Sequence, residues 1–176
     1  LFQAQQRVLA AVFMRQANIL RQFGRGEKAA EVSICELEAA RNSGDDLTLA
    51  RSLISYGATL IFSGDIEPGL QYMEEARQAF SRKDSFDYRQ GLGWYWILRA
   101  DLANAKVIEG GAQEALEAAS QAIGLLEPIE NWPGVARAWA ARAIACEVLG
   151  DQSGMESAHQ AQREAVKRTR AVHHEE

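Results

Sequence analysis

The residues of this chain with the chemistry to act on another molecule are few and far apart. His173 and His174, followed by Glu175 and Glu176, offer imidazoles and carboxylates to a metal ion. Adjacent residues on a helix point about 100° apart, however, and a chain end supplies no rigid second layer of partners, so a solvated tail is the simpler expectation. His159 stands alone. Cys146, in the apolar run AIACEVL, has no histidine near it in sequence and reads as a small core residue rather than a nucleophile. The pairs GRG and GG punctuate helices and follow no strand, which does not fit a phosphate loop. No acid, base and nucleophile converge by spacing, so no catalytic residue, no metal site and no cofactor is expected. What remains is recognition chemistry. Trp94, Tyr95 and Trp96 are consecutive, and three such rings on a helix cannot share one core; two can fill space, and at least one is left for a stacking or hot-spot contact.

The elements that must carry these residues follow from a spacing used four times. A small residue is followed seven positions later by glycine: Ala17 with Gly24, Gly57 with Gly64, Ala103 with Gly110, and Ala143 with Gly150. Each glycine closes an apolar helical run such as SLISYGATLIFSGD, and a second helix starts just beyond it. Small side chains let a neighbouring backbone come close, and glycine past a helix end takes the left-handed conformation cheaply. Five residues after each glycine stand Ala29, Gly69, Ala115 and Met155; seven further on stand Ala76 and Ala122 in the middle units, but Glu36 and Gln162 in the outer ones. Modified outer units are what an array with ends requires, since a terminal unit has one neighbour fewer. The reading is four helix-turn-helix units, approximately 1–46, 47–87, 88–132 and 133–172, within one domain. Asp45 or Asp46 caps the second unit, Asp84 or Ser85 the third, and Asn131 with Pro133 the fourth. The extra residues of the second interval fall in SRKDSFDYRQGLGWYW, and the last helix is polar enough beyond Gln160 to fray.

GDIEPGLQYMEEARQAF and GGAQEALEAASQAI resemble the tetratricopeptide repeat family, over roughly residues 5–165. The period exceeds the usual ~34 residues of that family, and so is similar to the long-helix variant in bacterial regulators of the maltose-activator type. The resemblance implies an all-α, right-handed superhelical solenoid whose first helices line a concave groove. It implies partner-binding roles for the polar residues Arg15, Asn18, Arg51, Asp101, Asn104 and Arg137 of those helices. Arginine presents a planar fork to carboxylates, and asparagine offers a peptide backbone both donor and acceptor. The carboxylate clamp of chaperone-binding members maps onto Met14, Asn18, Ser55, Ile97 and Asp101, where only Asn18 fits, so that specialised role is not expected.

Composition sets the remaining bounds. The 176 residues are 47% hydrophobic with three prolines, enough for a continuous helical core. A net charge of −5 removes the positive footprint of a phosphate-binding surface; the basic stretch REAVKRTR is followed by acidic residues, so direct nucleic-acid binding is not expected. Cys35 and Cys146 are too far apart in the array to pair, which favours a reducing, cytoplasmic setting. No secretory signal or membrane span is evident. The chain opens at Leu1 and reads as a segment of a larger protein. The function expected is a non-catalytic module that binds a protein or peptide in its groove, as the sensor or docking part of a bacterial signalling or transcriptional regulator. The alternatives are a small-molecule sensor walled by the aromatic run, or a self-associating scaffold, which an exposed apolar patch on an outer helix would support.

Overall fold

The structure is a computed structural model describing residues 1–172; the His173–Glu176 tail considered above lies outside the described residues. Eight helices and no strand occur among them: α1 Phe2–Gln22, α2 Gly26–Ser43, α3 Asp46–Phe62, α4 Ile66–Phe80, α5 Phe86–Asn104, α6 Gly111–Leu126, α7 Trp132–Leu149 and α8 Gln152–Val172. The single domain expected from length is divided into two compact units, Leu1–Asp84 and Ser85 onward. Each unit consists of two helix pairs.

In the first unit, α1 pairs with α2 and α3 with α4. Gly24 and Gly64 hold φ of 68° and 97°, the left-handed turns their spacing predicts. Asp45 is the N-cap of α3, with extended backbone, and its carboxylate accepts from the Thr48 amide at 2.9 Å and the Thr48 hydroxyl at 2.6 Å. Those bonds hold its pKa below the usual carboxylate range. Replacing Asp45 with alanine is expected to cost about 1 kcal/mol, because a first-turn amide loses its acceptor; a denaturation midpoint equal to that of the parent chain would contradict this cap. Ala10, Ala39 and Ala40, with Phe13 and Leu49, knit α1, α2 and α3. Between α3 and α4 the contact is glycine on glycine, Gly57 against Gly69.

In the second unit, α5 pairs with α6 and α7 with α8, and α6 also packs on α7. Its main core gathers Ile97, Ile123, Leu126, Val135 and Ala138, backed by Trp96, Trp132 and Trp139. Asn131 caps α7 by accepting from the Gly134 amide at 3.0 Å, with Pro133 in the first turn. Two expectations need correction here. Gly110 does not close the helix of Ala103: α5 ends at Asn104, where Lys106 takes φ 58° and the Val107 amide bonds back to the Leu102 carbonyl. The residues after it fold Ile108 onto Ala103, Ala115 and Ala145, and burying that side chain is what the early stop allows. The last helix does not end near Gln160 but runs to Val172, since Ala158 and Ala165 are buried and the Arg168 guanidinium lies 4.5 Å over the Trp132 ring.

Candidate functional site

The recognition residues expected on first helices are largely spent on the fold. In the second unit, Asp101 and Arg137 meet each other, Nη2 to Oδ2 at 2.7 Å, tying α5 to α7. Asn104 donates from Nδ2 to the Ala141 carbonyl at 2.9 Å, and its Oδ1 is buried without a partner. Both contacts cross between helices that must stay in register, so these three residues are structural links rather than the open surface expected of them. Of the aromatic run, Tyr95 is buried, Trp96 packs against the alanine group Ala100, Ala118, Ala119 and Ala141, and Trp94 remains 38% exposed. The helical geometry separates them as anticipated. Trp139 is core, with Arg142 over its ring.

In the first unit, Arg51 is half-buried on α3, and its charge helps hold Asp45 ionised. Asn18 accepts from Arg21, a residue the sequence reading passed over. Arg21 reaches from α1 to α3, donating from Nη1 to the Ser55 carbonyl at 3.0 Å and to the Thr59 hydroxyl. Behind it lies a buried polar cluster. The Thr59 hydroxyl donates to the Ser55 carbonyl at 2.9 Å, which leaves the Ser33 hydroxyl, 3.0 Å away, to donate to Thr59. The Ser55 hydroxyl donates to Glu36 Oε2 at 2.8 Å. Glu36 is wholly buried, and its Oε1 has no partner. Its departure from the alanine of the middle units is therefore not an end effect facing solvent: α2 turns it into the contact with α3. Burial pushes its carboxyl up to about 7, against the opposing pull of Ser55, Ser52 and the Arg21 charge. Desolvation likewise lowers the Arg21 pKa, with Glu36 opposing. Ser52, Ser55 and Thr59 recur at helical spacing on an otherwise apolar α3, and Ser33 and Glu36 lie three apart on α2; that polar row was the available signal.

The other notable surface is α1 itself. Ala10 and Ala17 are buried against the unit, and on the opposite side Val8, Val12, Ile19 and Phe23 are exposed by 63%, 53%, 53% and 76%. Arg15 is exposed among them. At about 100° per residue these five positions span a stripe roughly 80° wide. A soluble helix ordinarily turns such a row inward.

Little else has the makings of a site. Cys35 is exposed and Cys146 buried, both as free thiols, and His159 is exposed beside Gln162. Among the described residues no group of three His, Cys, Asp or Glu is placed to hold a metal ion, and no helix is long and apolar enough to cross a membrane. The turn between α1 and α2 forms an open hollow with Phe62 and Ser63, lined by Arg25, Glu27 and Lys28.

The sequence matches no protein-family model and no curated protein. In fold it is similar to a solved structure, BtubC (BKLC) from P. vanneervenii, with a TM-score of 0.70 over 94% of this chain at 14% identity. The chain spans 66% of the length of that protein, and likeness at this identity concerns the fold alone.

Proposed function

We propose that this chain is a non-catalytic protein-interaction module, a tetratricopeptide-like array of helix pairs wound as a right-handed solenoid, that docks a segment of a partner protein. The observation that carries the reading is the exposed apolar row of α1, Val8, Val12, Ile19 and Phe23, on an otherwise polar and acidic chain. Apolar rows of this kind, rimmed by polar groups, mark contact surfaces when they are left on a folded domain. The repeated helix pair gives the row a rigid base, which lowers the ordering cost of binding. A docking role in a cytoplasmic bacterial regulator is the setting we favour, from the resemblance of the repeat.

Selection from a displayed library of random peptides tests this reading. Peptides that bind the parent chain are expected to lose affinity for Val12→Glu, a change that leaves stability within ~0.5 kcal/mol because the side chain faces solvent. A library that yields no binder, or turnover of a substrate by the purified chain, would count against it. The small-molecule alternative has less support, because Tyr95 and Trp96, the walls expected of its pocket, are packed into the second unit's core.

A further inference from the structure

We propose that the free face of α1 seats one acidic amphipathic helix of another polypeptide, whose apolar row covers Val8, Val12, Ile19 and Phe23 and whose carboxylate pairs with Arg15. This deepens the interaction reading above and rests on it. The shape argument is that the row runs along a single helix for about 22 Å, four turns, and is one side chain wide. A second helix matches such a stripe through residues at intervals of three and four, whereas a strand or a flat surface would leave most of it wet.

The charge argument decides the kind of helix. Helix α1 carries Arg7, Arg15 and Arg21 and no aspartate or glutamate. Arg7 is within 3.9 Å of Asp45, and Arg21 is turned onto Ser55 and Thr59 of α3. Arg15 alone of the three stands in the apolar row, with no hydrogen bond or ion pair among the described residues. A covering helix that brought no carboxylate would strip water from this cation without replacing it, which is costly. A second copy is excluded as the preferred occupant on the same ground: pairing α1 with α1 brings two Arg15 side chains to the seam and no acid from either helix. An acidic helix supplies the missing charge and leaves the valine, isoleucine and phenylalanine to be covered by its apolar row. Discrimination then comes from Arg15 and affinity from the apolar positions.

The test uses two synthetic helical peptides with the same leucine row, one carrying glutamate and the other lysine at the position facing Arg15 and at both flanks. Fluorescence anisotropy with the 176-residue chain is expected to show the glutamate peptide binding at least ~tenfold tighter, with the gap narrowing as salt rises. Arg15→Glu should reverse the preference, and Ile19→Glu should abolish both complexes while the melting temperature stays that of the parent. Equal binding of both peptides would overturn the acidic partner but leave the interaction reading standing. Sedimentation showing a dimer that Ile19→Glu dissociates would make a second copy the occupant and overturn the proposal. If neither peptide binds while displayed peptides are captured elsewhere on the chain, the α1 face is wrong and the interaction role survives; if nothing is captured at all, both fail.

Discussion

Gly57→Ala is expected to destabilise the first unit, although alanine is the better helix former by ~1 kcal/mol. A Cβ at position 57 would stand 2.7 Å from the Gly69 carbonyl oxygen and 3.2 Å from the Met73 amide nitrogen, and a Cβ at 69 would stand 2.6 Å from the Gly57 carbonyl oxygen. These neighbours are backbone, so relief requires α3 and α4 to move apart rather than one side chain to turn. Overpacking of this kind costs ~1–3 kcal/mol and outweighs the propensity gain, and Gly57→Leu belongs at or above the upper end. Gly124 in α6 provides the internal control, because a Cβ there has nothing within 4 Å and its φ is not positive. Gly124→Ala should therefore be neutral or stabilising by up to ~1 kcal/mol. Urea midpoints in which both alanine variants shift the same way would show that the glycine contact is not close.

The same contact shows how much of the fold could be read from residues alone. Small side chains twelve apart, Ala17 with Ala29, Gly57 with Gly69 and Ala103 with Ala115, fix where the two helices of a pair touch, and all six are buried. Turn glycines and the caps at Asp45 and Asn131 set the boundaries, because left-handed backbone and free amides can be met by few residue types. What was not legible arises from contacts remote in sequence. The early end of α5 depends on where Ile108 finds a core, and the length of α8 depends on Arg168 meeting Trp132. The division into two units leaves no local mark comparable to a proline or a linker.

The candidate site was less legible, for a related reason. A polar residue on a helix looks the same in sequence whether it faces water or a partner helix. Asp101, Asn104 and Arg137 are each used inside the second unit, and only their mutual geometry reveals it. Arg15 is the member of the expected set left on a free face. Glu36 was visible as a departure from alanine, yet its burial depends on four hydroxyl-bearing neighbours contributed by two helices.

That burial carries the largest pH effect expected of the molecule. With the Glu36 carboxyl raised from 4.5 to about 7, the native state keeps a proton over an interval in which the unfolded chain has released it. The sign follows directly: the stabilisation is fully present below pH 4.5 and is lost progressively as pH rises to about 7. Integrated over that window it amounts to about 3 kcal/mol, an upper figure because α2 and α3 can relax to admit water. Arg21 on α1 is the charged group facing Glu36, and α3 answers with the Ser52 and Ser55 hydroxyls, so ionisation is softened but not compensated. Glu36→Gln keeps the shape and an acceptor for Ser55 while removing the charge. Its melts should match the parent near pH 4.5, exceed it by about 1–3 kcal/mol near pH 8, and be flat between, apart from contributions shared by both chains. A parent chain whose stability does not fall between pH 4.5 and 7, or a glutamine variant with the same slope, would mean that Glu36 reaches solvent or a counter-charge, and the buried cluster would then be a passive link between α2 and α3.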